Sequence, residues 1–136
     1  MKVFVEEIGV RSETPVDILD VTEKILSVVR RSGVRNGVVV VFTKHTTAAV
    51  AINENERRLK QDVLSVLQKL VPKGAGYKHD EIDDNAHAHI QAMLLGVSEA
   101  IPINDGELQL GTWQRVFFVE LDGPRSRRLT IQIIGE

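Results

Sequence analysis

The segment GVVVVFT, Gly37 to Thr43, restricts the possible folds of this chain more than any other. Its β-branched and aromatic side chains pack well on a pleated sheet, and the run is too short for a comfortable helix. A continuous apolar strand of this kind is typical of a strand that is buried on both faces. The fold must therefore place other elements over a strand at this position.

Further strands are predicted on both sides of this one. Lys2 to Val10 alternates loosely and is rich in Val, Phe and Ile, and TAAVAIN from Thr47 is a second apolar segment. The last forty residues contain VSEAIPI, WQRVFFVEL and RRLTIQII, separated by turn sequences at NDGE and DGPR. The final segment alternates cleanly, with Leu129, Ile131 and Ile133 on one face.

Three segments have the apolar period of a helix. The first is predicted from a cap at Asp17 to a terminator at Gly33. The second is stopped by Pro72, and the third begins at Asp84 or Asn85 and ends at Gly96. Their predicted buried residues are Ile18, Val21, Ile25, Val28 and Val29 in the first helix, Leu59, Val63, Val66, Leu67 and Leu70 in the second, and Ile90, Met93 and Leu94 in the third.

The length of 136 residues, with 43% hydrophobic and 26% charged residues, fits one globular domain that spans residues 1–136. The order of elements is β, α, β, β, α, α and then a β-meander. This order predicts an α+β fold with helices gathered on a mixed or antiparallel sheet.

Composition also excludes several kinds of function. A net charge of −2 argues against a nucleic-acid partner, and no apolar run is long enough to predict a membrane span. The chain has no cysteine, so any bound metal must use His, carboxylate or backbone oxygen ligands. MKVFVEEIGVRSE lacks the features of a signal peptide, so a cytoplasmic location is expected. The common nucleotide, hydrolase and metalloprotease motifs are absent.

Three histidines lie where functional groups are commonly presented. His45 lies between two strands, His79 in the long loop from Pro72 to Asp84, and His89 near a helix start. A lone histidine is more often a surface or packing residue, but carboxylates such as Glu54 and the acidic loop after His79 can orient imidazoles. The sequence therefore predicts a polar pocket, with metal binding as its first interpretation.

His87 and His89 form an H-x-H pair. On a strand both rings would share one face, whereas on a helix they lie about 200° apart. Because a helix is favoured here, only one of the two should face the pocket. His89 is chosen because Ile90 and Met93 place the predicted buried flank beside it.

The segment GTWQ and the turn ELDGPR offer a second group of candidates. Trp113 with Gln114 could hold a flat ring, and Arg125 could pair with a phosphate. The alternative is structural, since DGPR is a good turn sequence and the single tryptophan fits a core equally well.

The strings KHTTAAVAINE, YKHDEIDDNAHAHI, SEAIPINDGELQLGTWQ and ELDGPRSRR resemble, in this order, the YjbQ-like family of secondary thiamine-phosphate synthase enzymes. The likeness covers nearly the whole chain. It implies a small α+β fold with a barrel-like mixed sheet, helices on one side of that sheet, and a homotrimer with polar pockets near the subunit interfaces. It also implies that His45, His79 and His89 matter.

The resemblance implies a transferase that joins hydroxymethylpyrimidine diphosphate to thiazole phosphate and releases pyrophosphate, as a weak and secondary activity. Catalytic roles are then expected for His45, His89, Glu54 and Arg125, and the metal set is His45, His79 and His89. The expected substrate-binding residues are Lys44, Thr46, Thr47, Trp113 and Gln114. The substrate is a small phosphorylated molecule.

The metal leaves alternatives open. Three histidines favour zinc, whereas a diphosphate substrate is usually accompanied by magnesium, which the carboxylates Glu54 and Asp83 would hold separately. A zinc-type hydrolase is therefore one alternative function. A trimer that binds a phosphorylated metabolite without catalysis is another.

Overall fold

The computed structural model describes all 136 residues, which form eight strands and three helices. The elements are β1 (Lys2–Arg11), β2 (Asp17–Asp20), α1 (Thr22–Ser32), β3 (Gly37–Phe42), β4 (Ala48–Glu54), α2 (Arg57–Leu70), a 3-10 turn (Lys78–Glu81), α3 (Ala86–Leu95), β5 (Ser98–Asn104), β6 (Glu107–Leu108), β7 (Gln114–Glu120) and β8 (Ser126–Gly135). None of the helices is both long and apolar enough to span a bilayer.

The strands form two groups, a five-stranded sheet in the order β1-β8-β3-β5-β6 and a three-stranded sheet in the order β2-β7-β4. Together they make a curled half-barrel, which confirms the α+β class. Every strand pairing is antiparallel. The sequence left a mixed or an antiparallel sheet open, and the antiparallel alternative is confirmed. The mixed sheet that the resemblance implied is wrong, because no neighbouring strands run parallel.

The main core lies between the two sheets and is closed by α1. Ile25 and Val28 of α1 are fully buried there, together with Val39 and Val41 of β3. The opposite side of β3 is only half-buried at Val38 and Val40. The prediction that β3 is buried on both faces is thus wrong, since no helix covers the outer face of the five-stranded sheet.

Residues 17–20 are a strand, although they were predicted as the first turn of a helix. They pair with residues 117–120 of β7, a contact that sequence spacing cannot reveal. Helix α1 begins only at Thr22, whose backbone N–H donates to the Asp20 carboxylate at 3.0 Å. Gly33 ends the helix in the left-handed conformation at φ 72°, as predicted.

The helices lie on both faces of the three-stranded sheet, which corrects the expectation of helices on one side. Helix α1 packs in the main core, whereas α3 packs on the outer face against Ala49, Phe117 and Val119. The contact uses the small residues Ala88 and Ala92 of α3. Small side chains allow a helix to approach a sheet closely, and this decides which face of α3 is buried.

The large apolar residues of α3 therefore point outward. Met93 is 83% exposed and Leu94 is 63% exposed, so the predicted buried face of this helix is wrong. Helix α2 is tied to α3 by Gln91, whose side-chain amide donates to the carbonyls of Leu67 and Val71. The Val71 carbonyl lies at the C-cap of α2, where helical donors end, whereas the Leu67 carbonyl also accepts from the Val71 N–H at 2.9 Å.

Candidate functional site

A shallow cleft of about 450 Å³ opens at one end of the three-stranded sheet, and no apolar side chain lines it. It is formed by the loop between β3 and β4, the start of α3, the turn after β7 and the start of β8. Its lining residues are Lys44, His45, Thr46, Thr47, Asp83, Asn85, His89, Asp122, Arg125 and Arg127.

A buried ion pair forms the floor of this cleft. Glu120 is fully buried and its carboxylate accepts hydrogen bonds from Arg127 Nε and Ser12 Oγ, both at 2.9 Å. Arg127 also donates to Thr47 Oγ1 at 2.8 Å. Burial alone would raise the pKa of Glu120, but the hydrogen bonds from Arg127, the Asp122 amide and Ser12 outweigh it and hold the pKa below its ordinary value. Glu120 is therefore ionised under ordinary conditions.

His45 lies at the edge of the cleft with one ring nitrogen already engaged. Its Nε2 accepts a hydrogen bond from the backbone N–H of Arg128 at 3.1 Å. Burial and the charge of Arg127 together lower its pKa, and the attraction of Glu120 only partly opposes them. The ring is therefore neutral at neutral pH.

A chain of hydrogen bonds crosses the cleft to His79. His79 Nε2 lies 3.1 Å from Asn85 Oδ1, and Asn85 Nδ2 donates to Asp122 Oδ2 at 2.9 Å. The same Asp122 oxygen pairs with an Arg125 guanidinium N–H at 3.1 Å, and Arg125 Nε donates to the Asp122 carbonyl at 2.8 Å. Arg125 is thereby oriented, although its side chain is about half-exposed.

His79 and His89 are neighbours, with ring centroids 4.9 Å apart and the planes nearly perpendicular. His89 lines both the polar cleft and an adjoining concavity that contains His79. No three histidine or carboxylate side chains converge closely enough to hold a metal ion. His45 lines the cleft with His89, but only His79 and His89 have their rings in contact. The geometry therefore offers a pair of imidazoles where the sequence predicted three.

Residues 6–136 match the family model described as "UPF0047 protein YjbQ-like". The chain belongs to this UPF0047 family. It is 45% identical over all of its 136 residues to a UPF0047 protein of Methanothermobacter thermautotrophicus, and it covers 95% of that relative. It is 31% identical over 123 residues to the UPF0047 protein YugU of Bacillus subtilis, with 88% of this chain and 90% of that relative covered.

Solved structures with more than 40% sequence identity share the fold. A YbjQ-like protein of unknown function from Sulfolobus solfataricus superposes with a TM-score of 0.97 at 41% identity, over 99% of each chain. A hypothetical protein from Aeropyrum pernix gives 0.95 at 43% identity, over 98% of this chain and 99% of that one. The half-barrel and its three helices are therefore shared with these solved structures.

Three of the predicted site residues lie at the opposite end of the three-stranded sheet in this UPF0047 chain, whereas His79 lies in the concavity beside the cleft. Glu54 pairs with Gln114 in the β4–β7 register, whereas Ala48 pairs with Glu120 at the cleft end. Six strand residues separate the two ends, or about 20 Å at ~3.4 Å per residue. Glu54, Trp113 and Gln114 are thus too far away to act with His45 and His89 of the same chain.

The two predicted magnesium ligands, Glu54 and Asp83, lie at different places in the fold. Glu54 lines a small apolar cavity under α2, whereas Asp83 lines the polar cleft. They cannot share one ion within a chain. Trp113 is 71% exposed, and Gln114 Oε1 accepts from the Gly111 amide at 2.8 Å, so that side chain stabilises its own turn.

The remaining predicted residues lie around the cleft and differ in their exposure to solvent. Lys44 is exposed and pairs with Glu7 at 3.1 Å, and Thr46 is exposed at the rim. Thr47 is buried, and its hydroxyl accepts from Arg127. Lys44 and Thr46 can therefore meet a ligand, whereas Thr47 holds the floor.

His87 lies on the buried face of α3, away from the cleft. It is 7% exposed, and its Nδ1 has no hydrogen-bond partner. The inference that only one of the two H-x-H rings faces the cleft agrees with this geometry, although the reason given for it does not. His89 faces the cleft because it lies at the edge of the face that Ala88 and Ala92 pack against the sheet, and it lines an adjoining concavity together with Ala92.

Asn85 and Asp122 are among the site residues that the sequence did not single out as functional, as are Arg127 and Glu120 of the cleft floor. Asn85 was predicted only as a helix cap, and Asp122 only as part of a turn. Asn85 and Asp122 are 37 residues apart in the sequence and form a hydrogen bond. This contact is visible only in the folded chain, where the histidine-containing segment lies beside the DGPR turn.

Proposed function

We propose that this chain is an enzyme that binds a small phosphorylated molecule in the polar cleft and transfers or releases its phosphorylated group. The observation that carries the proposal is the lining of the cleft, where Lys44 and Arg125 lie beside the neutral imidazole of His45 and the ring of His89. Guanidinium and ammonium groups stabilise phosphate oxygens, and imidazoles are the usual proton carriers.

The specific reaction to test first is the formation of thiamine phosphate from hydroxymethylpyrimidine diphosphate and thiazole phosphate. The nucleophilic nitrogen of the thiazole forms a bond to the pyrimidine methylene carbon, and the bond from that carbon to the diphosphate oxygen breaks. The departing pyrophosphate carries the electron pair, so cationic groups must stabilise it. Arg125 and Lys44 are suited to this role.

The test is to incubate the purified chain with both precursors and to measure thiamine phosphate and pyrophosphate together. Equal amounts of the two products are expected from the wild type, and their loss is expected in a folded His89→Ala variant. Lys60→Ala, on α2 far from the cleft, is the matched control and should retain activity. Saturable binding of the precursors without any product would overturn catalysis and favour a non-catalytic binder.

A zinc-type hydrolase is a second candidate, and the adjacent rings of His79 and His89 favour it. Imidazole suits zinc, and a bound zinc ion supplies an activated water near neutral pH. Two histidines fit only part of such a donor set, so a carboxylate would have to complete it. Magnesium remains the alternative ion for a diphosphate substrate.

Elemental analysis tests this second candidate. Zinc near one equivalent per chain should fall in His79→Ala and His89→Ala and persist in His87→Ala, because His87 lies on the opposite face of the same helix. Folding of each variant is monitored by circular dichroism. Metal-free protein that still forms product would exclude a required metal.

The assembly is proposed to be a homotrimer, as the resemblance implies. Exposed apolar residues on α2 and α3, including Leu70, Met93 and Leu94, support burial of these helices against another copy. Light scattering after size exclusion should give three times the mass of one chain. A monomer mass would contradict it.

A further inference from the structure

The hydrogen bonds around His45 and His79 determine which ring nitrogen carries the proton. In a neutral imidazole one nitrogen donates and the other accepts, and the partner of either nitrogen decides the tautomer. Both histidines have one engaged nitrogen, and in both cases it is Nε2. The partners differ, however, and they require opposite tautomers.

The partner of His45 is a backbone amide, which can only donate. His45 Nε2 must therefore accept from the Arg128 N–H, and the proton of the neutral ring must lie on Nδ1. The amide is free for this purpose because β3 ends at Phe42, opposite Thr130, so no residue of β3 lies opposite Arg128. The ring of His45 therefore accepts the hydrogen bond of a β8 amide that has no partner in β3.

The partner of His79 is an amide side chain whose orientation is fixed by a carboxylate. The Asp122 carboxylate oxygen that faces Asn85 also accepts from Arg125, so the NH₂ group of Asn85 must face it. The carbonyl oxygen Oδ1 then faces His79, and because it can only accept, His79 Nε2 must carry the proton. Nδ1 of His79 keeps its lone pair.

The side chain of Asn85 binds His79 and does not cap helix α3, which is the usual role of an asparagine at this position. It occupies the N-cap of α3, where an asparagine side chain normally accepts a helix amide and stabilises the helix by about 1 kcal/mol. Here it makes no cap bond, and the Ala86 amide donates to Asp80 Oδ1 at 3.1 Å instead. Asn85 is also 8% exposed, so its amide is held firmly between its two partners.

We infer that His45, in the cleft, and His79, in the adjoining concavity, are held in opposite tautomers, with His45 presenting an Nδ1–H donor and His79 an Nδ1 lone pair. Asn85 and Asp122 are the positioning residues that fix His79. His45 is then suited to donate to an anionic oxygen of the ligand. His79 is suited to accept a proton or to bind a metal ion. These roles rest on the proposed function, whereas the tautomers rest only on the hydrogen bonds.

Ring nitrogen NMR tests the inference directly. The ¹⁵N-labelled chain, without substrate and after treatment with a chelator, is recorded at a pH well above the ordinary histidine pKa of about 6.5. Long-range ¹H–¹⁵N spectra then separate protonated from unprotonated nitrogens, and His→Gln variants assign each ring. The expected result is a proton on Nδ1 of His45, the tautomer that free imidazole disfavours, and a proton on Nε2 of His79.

A variant pair shows whether Asn85 sets the tautomer. In Asn85→Ala the two nitrogen shifts of His79 should move toward each other as both tautomers become populated, while those of His45 stay in place. Asn53→Ala, at the far end of β4, is the matched control and should change neither ring. A proton on Nε2 of His45, a proton on Nδ1 of His79, or an unchanged His79 in Asn85→Ala would overturn the inference.

The wild-type spectrum decides both tautomers even if Asn85→Ala does not fold. No substrate is present, so failure of the tautomer assignment is distinct from failure of thiamine phosphate synthesis. A chain with the expected tautomers and no synthase activity would still have a donor and an acceptor aligned in its cleft, and it would redirect the search to another phosphorylated substrate.

Discussion

The two ends of strand β7 differ in how deeply their charged side chains are buried. At the Glu120 end, a buried carboxylate is held by Arg127 and Ser12, and the polar cleft lies above it. At the Gln114 end, Trp113 is exposed, and an apolar cavity of about 250 Å³ lies close by, under α2. Both ends carry an ion pair within the chain, but only the Glu120 end buries it. At the Gln114 end Arg115 pairs with Asp20 at 2.7 Å and its side chain is 35% exposed, whereas Glu120 and Arg127 are both buried.

The segments at both ends of β7 carry the resemblance to the family. Within one chain, however, they do not form one site. A buried ion pair is a costly way to stabilise a fold, since desolvation offsets much of the attraction. Its presence under the cleft fits a requirement for fixed charges there. The charges of Arg115 and Asp20 at the far end lie closer to solvent, so pairing them costs less desolvation.

The largest effect is expected from breaking the ion pair at the cleft end. Glu120→Gln leaves Arg127 charged and buried without its partner, which should lower the free energy of unfolding by about 3–5 kcal/mol. Urea denaturation measures the change. Glu54→Gln at the opposite end of the same sheet is the matched control, with an expected change of at most about 0.5 kcal/mol. Equal losses would remove the distinction between the two ends.

Acid should weaken the cleft end selectively. The pKa of Glu120 is lower in the folded chain than its ordinary value of 4.5, so its contribution is fully present above about that pH and is lost as pH falls through the folded value. The difference in unfolding free energy between wild type and Glu120→Gln should therefore shrink on acidification. A difference that grows as pH falls would contradict the direction of this pKa shift.

Catalysis should depend on the cleft histidines. Loss of a positioned general acid or base usually slows turnover by about 10²-fold or more, and this is the loss of kcat expected for His89→Ala in the thiamine phosphate assay. His87→Ala, which removes a ring from the opposite face of the same helix, should retain kcat in the fraction of protein that is folded. The reverse order would move the site to the buried face of α3.

Anion affinity should depend on Arg125 more modestly. A hydrogen bond to a charged group contributes about 1.5–3 kcal/mol, so Arg125→Met should weaken the binding of inorganic phosphate about tenfold or more. Calorimetric titration measures the dissociation constant. Lys60→Met removes a positive charge at the far end and should leave the constant unchanged, whereas a similar loss in both variants would indicate a general charge effect.

The smallest effect is expected from Trp113→Ala. Because Trp113 is exposed and about 20 Å from the cleft of its own chain, turnover should change by less than about twofold. A large loss of turnover in a Trp113→Ala variant of normal stability would change the comparison between the two ends of β7. It would show that the far end of one subunit completes the cleft of another.

Sequence alone predicted the regular elements whose signal is local. The strands β1, β3 and β8 and the ends of α1 and α2 at Gly33 and before Pro72 follow from periodicity and from terminators. Strand β2 was missed because Ile18 also fits the helical spacing of the next segment, and only its pairing with β7 decides the matter. The buried face of α3 was missed because alanines, and not the larger residues, make the contact with the sheet.

The candidate site was predictable only in part for the same reason. His45, His79 and His89 were identified from their places in the chain, but the groups that orient them are remote in sequence. The Arg128 amide is 83 residues from His45, and Asp122 is 37 residues from Asn85. Such partners follow from the strand register, which pattern alone does not determine.

The Gln91 side chain has a mechanical consequence for the cleft. It holds the end of α2 from the buried face of α3, two residues along the same helix from His89. A load on α2, such as its burial against another copy, is therefore transmitted to the helix that carries a cleft imidazole. The proposed assembly would in this way be coupled to the alignment of His89 through the Gln91 amide.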